Sequence, residues 1–185
     1  QAGHEFGLGA SGLRLAVNGT YGWSKPDIAG LPLETETLIA NFEANYPLIR
    51  RPSMVADVSL GFDYIDQGND LGPFSLSKDA VRTLYFRADL RQAAKRLGSN
   101  SSYDYRAYAE LRQGVNIFGA TEFGVNGFAR TDGVSASRPF GDASAFVARG
   151  GFGSRLDAGQ FFAINGRVEG QWSDDPLLNF DEYSI

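Results

Sequence analysis

Along positions 54–64 the chain alternates between two kinds of residue. Met54, Ala56, Val58, Leu60, Phe62 and Tyr64 form an apolar parity, while Val55, Asp57, Ser59, Gly61 and Asp63 are mostly small or acidic. Side chains on a strand point to opposite faces with period two, so this segment predicts a strand with one apolar and one wet face. The pattern recurs. Residues 13–23 set Leu13, Leu15, Val17, Tyr21 and Trp23 against Arg14, Asn18 and Thr20, and residues 36–46 set Leu38, Phe42 and Tyr46 against Asn41, Glu43 and Asn45. Residues 80–90 oppose Leu84, Phe86, Ala88 and Leu90 to Thr83, Tyr85, Arg87 and Asp89, with Arg82 in the apolar row at a place that fits only near a membrane boundary. Residues 103–111, 146–156 and 162–172 repeat it, and weaker segments at 4–10 and 180–185 bring the count to about nine strands.

Between these segments Pro, Gly, Asn and Asp mark connections. Ser11-Gly12 and Asp157-Ala158-Gly159 read as tight turns, 96–102 as a polar turn, and 26–33, 47–52, 67–78 and 173–179 as loops or connectors. Residues 116–142, rich in Gly, Ala and Ser and without clear period, read as a long loop of the functional or mobile kind.

The alternating segments run to about 11 residues, longer than the usual 5–6 of globular sheets and close to the length that crosses a bilayer as a tilted strand. A soluble sandwich or up-and-down barrel also alternates, so parity alone does not separate the two. The aromatic residues add weight. Tyr21, Trp23, Tyr46, Tyr64, Tyr103, Tyr105 and Trp172 lie on the apolar parity toward strand ends, where interfacial girdles belong. The wet parity carries charges of both signs: Arg14, Glu43, Asp57, Asp63, Arg87, Asp89, Arg106, Glu110, Arg112, Arg149, Arg155, Arg167 and Glu169. These are the candidates for facing a lumen. In the bland alternative they only pair with one another across strands, at about 0.2–1 kcal/mol per pair.

Composition narrows the classes. The 185 residues carry a formal net charge of −5, which argues against a nucleic-acid partner. Without cysteine, and with His4 as the single histidine, disulfide frameworks, thiolate chemistry and multi-histidine metal sites are excluded. A mean hydropathy of −0.23 is compatible with a membrane barrel, because half of each strand faces a polar interior. No apolar run of about 18 residues predicts a transmembrane helix. Residues 1–10 lack the basic start and apolar core of a signal peptide, so the chain reads as a mature or truncated piece.

No catalytic constellation emerges. Gly7, Gly9 and Gly12 fit a G-x-G-x-x-G spacing, but an alternating strand follows where a dinucleotide site needs a helix. Asp174, Asp175, Asp181 and Glu182 cluster near a turn without the spacing of a calcium loop. The expectation is no catalytic residue, no metal and no cofactor.

Several stretches carry a resemblance. Asn45-Tyr46-Pro47-Leu48-Ile49-Arg50-Arg51 with Gly61-Phe62-Asp63-Tyr64-Ile65-Asp66, then Glu110-Leu111-Arg112-Gln113-Gly114-Val115-Asn116-Ile117-Phe118-Gly119-Ala120, then Gly170-Gln171-Trp172-Ser173 with 175–184, resemble in order the barrel of two-partner secretion transporters, the hemolysin secretion/activation proteins. The resemblance extends over most of 13–185. It implies a parent with a signal peptide, a plug helix, two POTRA domains and a sixteen-stranded barrel whose long Arg-Gly-Tyr loop enters the lumen. The signal peptide, POTRA domains and C-terminal barrel strands of such a parent are read as absent from this sequence. The side on which the longer connections lie is left open: their length favours an extracellular position, whereas the resemblance favours a periplasmic one for 173–179.

The expected fold is therefore all-β, a transmembrane antiparallel β-barrel, incomplete, with about nine of sixteen strands. The expected function is passive translocation of an unfolded exoprotein, an adhesin or hemolysin, across the outer membrane of a Gram-negative bacterium. Its partners would be the lipid bilayer and the secreted exoprotein, with no nucleic acid, and the barrel would be monomeric. The alternatives are an assembly or insertion factor of the wider superfamily, a small-solute porin, and last an enzyme whose catalytic residues lie elsewhere.

Overall fold

The computed structural model describes residues 1–28, 30–95, 101–124, 126–158 and 161–178. Its strands in chain order are β1 (Ala2–Leu8), β2 (Leu13–Ser24), β3 (Asp27–Ile28), β4 (Leu31–Arg51), β5 (Met54–Leu71), β6 (Phe74–Lys95), β7 (Ser102–Gly114), β8 (Glu122–Phe123), β9 (Ala129–Thr131), β10 (Val134–Ser135), β11 (Phe146–Ala158) and β12 (Phe162–Ser173). The chain is all-β among the described residues. One large antiparallel sheet follows the path β1-β2-β4-β5-β6-β7-β11-β12, with β3 paired to β4. A small sheet, β10-β9-β8, lies within the connection between β7 and β11. Strands β1 and β12 are not hydrogen-bonded to each other, so the sheet is open among the described residues.

Every predicted strand up to β12 is present, and the segment expected over 180–185 lies outside the described residues, as do parts of the turns expected at 96–102 and 157–159. The expected length of about 11 residues fails for β4, β5 and β6, which run 21, 18 and 22 residues. Most of 26–33 and 67–78, expected as loops, is strand, and only Gly72-Pro73 turns the chain between β5 and β6. Polar residues stand on both faces over most of these stretches, so apolar alternation is confined to short pieces such as Phe74-Ser75-Leu76-Ser77. A polar ladder takes its place: Thr35 Oγ1 donates to Asn69 Oδ1 at 2.9 Å and Asn69 Nδ2 to Ser77 Oγ at 3.0 Å.

The connector expected at 47–52 is likewise mostly the end of β4. Proline is tolerated at position 47 because β2 pairs no further than Arg14↔Asn45, which leaves this part of β4 at an edge. The register with β5 shifts between Pro47 and Ile49, a bulge that leaves Leu48 unmatched and exchanges the parity of the rest of β4. Beyond it Arg50 pairs with Val55 and joins the polar face.

Residues 116–142 are not a bare loop. Asp132 and Gly133, both at positive φ (49° and 82°), turn β9 into β10 as a tight hairpin. The segment folds over the polar parity of β5 and β6. Ile65, Val81, Ala129, Ala136, Ala143 and Leu178 form a buried cluster, with Ile39 packed against it. Backbone bonds tie the cover down: Val115 N to Arg82 O and Thr121 N to Ala80 O, both 2.8 Å. The Asp79 carboxylate accepts Ser137 N, also at 2.8 Å.

Candidate functional site

Antiparallel register aligns residues across the sheet in rows, and neighbouring rows face opposite ways. One row reads Phe6, Leu15, Ala44, Leu60, Phe86, Leu111, Ala148, Trp172. Every member is apolar. The next row on the other face reads Gly7, Arg14, Asn45, Ser59, Arg87, Glu110, Arg149, Gln171. The candidate site is this second, polar face, and all the charged residues selected from the sequence fall on it.

Its rows are bonded sideways. Arg14 Nη2 donates to Asn45 Oδ1 at 2.8 Å, and Asn45 Nδ2 to Ser59 Oγ at 3.0 Å. Glu110, nearly buried, accepts Arg87 and Arg112, both at 3.2 Å, and faces Arg149 at 3.8 Å. Arg149 Nε then donates to Gln171 at 3.0 Å. A second network runs through the hydroxyl of Tyr85, which donates to Glu43 at 2.7 Å and accepts from Asn41 at 3.0 Å. Asn41 and Arg112 both donate to Asp63, at 2.7 and 2.8 Å. Asp57 lies opposite Asp89 on β6 and has no side-chain partner among the described residues, while Asp89 is held by Arg87 at 2.7 and 2.9 Å.

Many of the ion pairs join residues two apart on one strand. Arg87–Asp89, Glu110–Arg112, Arg155–Asp157 and Arg167–Glu169 lie within 3.2 Å, and Asp104–Arg106 at 3.7 Å. Ser102 Oγ adds a bond to Asp157 at 2.9 Å.

Two tyrosines missed as site residues organise the face. Tyr85 lies opposite Gly61 and Tyr108 opposite Gly151, and each ring covers its glycine so closely that an added Cβ would fall 2.2 and 2.4 Å from ring carbons. On the far side of each ring sits a guanidinium, Arg112 at 5.6 Å from Tyr85 and Arg87 at 4.4 Å from Tyr108, within cation–π range. Only register could have revealed these layers, because the glycines and tyrosines are far apart in sequence.

The apolar face has a different order. The selected aromatics all lie on it, Tyr64 half-buried beneath Arg82, whose guanidinium sits 3.5 Å from the ring centroid. Arg82 itself is 2% exposed, paired with Asp66 at 2.7 Å and donating to the carbonyl of Phe118. The first apolar residue on this face moves along the strands: Trp23 on β2, Leu38 on β4, Tyr64 on β5, Leu84 on β6, Leu111 on β7, Trp172 on β12. Polar residues bound this edge: Glu36, Asp66, Arg82, Gln113 and Asp174. The drift reverses once, at β11, where Phe146 lies opposite Gln113. The opposite edge drifts the same way. Tyr46 shares a row with Ala109, and the bordering Tyr103 lies six residues further along β7. Large apolar side chains between the edges have nothing packed on them, Leu60 being 60% and Val168 65% exposed.

His4 is exposed on β1, with its ring 5.0 Å from Phe6. Of the acidic cluster, Asp174 Oδ1 accepts Phe146 N at 2.8 Å, and Asp181 and Glu182 lie outside the described residues. Among the described residues no group of three metal-ligating side chains converges, and no helix is long and apolar enough to cross a membrane. Comparison with protein-family models, curated proteins and solved structures finds no match.

Proposed function

We propose that this chain is part of the wall of an outer-membrane β-barrel, its apolar face against lipid and its polar face lining a water-filled path for an unfolded exoprotein. The observation that carries this reading is the drift of the aromatic edge. Trp172 shares its row with Leu15, which lies eight residues before Trp23 on β2. About eight residues of strand rise roughly 26 Å, and the six strand spacings from β2 to β12 cover roughly 29 Å, so the apolar band slants by about 40° against the hydrogen-bond rows. A flat band of lipid meeting strands tilted by about 35–45° gives this slant. A soluble sheet has no reason to keep two parallel slanted borders.

A wall of this kind suits conduction rather than chemistry. Most of its polar side groups are hydrogen-bonded to one another along and across the strands, which gives a hydrated surface with no converging catalytic site. Translocation of an adhesin or hemolysin, as in the transporters the sequence resembles, fits such a wall.

The test uses the protein's two tryptophans, Trp23 and Trp172, both on the slanted edge. The chain is folded into phosphatidylcholine vesicles, and quenchers placed at graded depths in the acyl chains are compared for Trp23→Phe and Trp172→Phe. Both remaining tryptophans should sit at the same shallow depth. Tryptophans that no lipid quencher reaches, or depths that differ by the offset in register, would overturn the reading.

A further inference from the structure

On the polar face one row differs from its neighbours. Arg50 lies opposite Val55, Val55 opposite Arg91, Arg91 opposite Arg106, Arg106 opposite Gly153, and Gly153 opposite Arg167. Six strands contribute, four of them arginine and none an acid. Like charges directly opposite one another destabilise a sheet, and Arg91 and Arg106 stand on adjacent strands about 4.8 Å apart. Arg50 and Arg91 meet no carboxylate within ion-pair distance among the described residues. The acid nearest Arg91 along its strand, Asp89, is taken by Arg87. Arg106 has only Asp104 at 3.7 Å, with its side chain 69% exposed, and Arg167 holds Glu169.

From β6 to β12 the row lies in an open furrow of about 420 Å³, lined by Arg87, Arg91, Arg106 and Arg167 against Asp89 and Glu169, with Gly151 and Gly153 between them, while Arg50 lies beyond its end. A β-carbon on Gly153 would meet no atom closer than 3.9 Å, so glycine leaves a gap between Arg106 and Arg167. A chain of net charge −5 thus keeps an excess of positive charge in one groove.

We propose that this row is a docking strip for an acidic stretch of polypeptide. Guanidinium forks match carboxylates in paired hydrogen bonds. The four arginines lie in a line rather than converging on a point, which suits a linear anion over a compact one. The line spans five strand spacings, roughly 24 Å, the reach of about seven extended residues whose same-side carboxylates recur every 6.6 Å or so. The strip also climbs. Arg50 lies four residues past Tyr46, outside the aromatic edge, whereas Arg167 lies five residues from both Trp172 and Phe162, at mid-band. An acidic segment captured at the rim would be led obliquely to the middle of the wall.

The strip rests on the preceding reading only for naming its ligand as a polypeptide in transit. Tryptophan depth reports the apolar face and peptide binding the polar one, so either can fail alone. The test uses the full chain in detergent micelles and a fluorescent peptide of alternating glutamate and serine, followed by anisotropy at low and high salt. Binding should appear at low salt and fade at high salt. The combined variant Arg50→Gln, Arg91→Gln, Arg106→Gln should weaken it about tenfold or more, as loss of charge-assisted contacts requires. Lysine at the same three positions, which keeps the charge but not the paired hydrogen bonds, should lose less affinity than glutamine. The proposal is overturned if the glutamine variant binds like the parent, or if a glutamine-serine peptide binds equally well. It is also overturned if the lysine variant loses as much as the glutamine one, or if a single-stranded thymidine oligonucleotide binds as tightly as the acidic peptide.

Discussion

The ring of Tyr85 occupies the space that a side chain at Gly61 would need. A β-carbon there would fall 2.2 Å from Cζ and 2.4 Å from the hydroxyl oxygen. That hydroxyl is fixed between Glu43 and Asn41, so the ring cannot swing aside without breaking a bonded network. Gly61→Ala should therefore destabilise the folded chain by about 1–3 kcal/mol, the usual cost of overpacking. Gly22→Ala, where nothing lies within 4 Å, should stay within about 0.5 kcal/mol. Urea unfolding in micelles measures both, and equal losses would remove Tyr85 from the explanation.

Glu110 is the hub of the charged face, with Arg87, Arg112 and Arg149 around it. Glu110→Gln keeps the shape but removes a carboxylate shared by three guanidinium groups, of which Arg87 retains Asp89 and Arg112 retains Asp63. A loss of about 2–4 kcal/mol is expected, by analogy with removing one partner from a buried pair. Asp104→Asn breaks a pair whose members are 45% and 69% exposed and should cost less than about 0.5 kcal/mol. Denaturant midpoints of the two variants in micelles measure the difference, and equal losses would mean that Glu110 is no hub.

Leu60 and Leu111 share one register row and one face, yet the slanted band gives them different depths. Leu60 is central on β5, and Leu111 is the first apolar residue on β7. In vesicles, Leu60→Arg should cost about 2–4 kcal/mol and Leu111→Arg about 0–1 kcal/mol, following the depth dependence of charge on a lipid face. Reversible folding into bilayers measures the difference. Equal costs would mean that register, not slant, sets depth.

The segment from 115 to 145 should behave as packed structure rather than as a surface loop. Val81, fully buried, is the contact on which it closes, and Leu178 closes the same cluster. Limited proteolysis of the parent should spare 116–142, while Val81→Asp, which puts an unpaired charge under the cover, should expose it to rapid cleavage. Cleavage of the parent at the same rate would show that the cover does not hold.

The faces of the sheet were legible because they depend only on parity. Leu60 and Asp57 are assigned correctly from position 54 onward with no knowledge of neighbours. The ends of β4, β5 and β6 were not legible, because Thr35, Asn69 and Ser77 pair through side-chain amides and hydroxyls that also signal turns. The β9–β10 hairpin did leave a signal, Asp132-Gly133, but its flanking strands are too short to show alternation. Arg50 was hidden by the bulge at Leu48, which exchanges faces without any mark in composition. The tyrosine–glycine layers and the arginine row exist only once strands are aligned, and alignment is a tertiary property.

The ion pairs between residues two apart have a bearing on how such a sheet could be put together. Arg87–Asp89, Glu110–Arg112, Arg155–Asp157 and Arg167–Glu169 each lie within a single strand, so extending the strand suffices to form them. These four segments thus bring a counterion for part of their charge and need not await a neighbour to neutralise that part. Strands can be laid down one hairpin at a time with less exposed charge at the growing edge. The cross-strand bonds to Glu110 and Asp63 come afterwards, locking an order of assembly that did not depend on them.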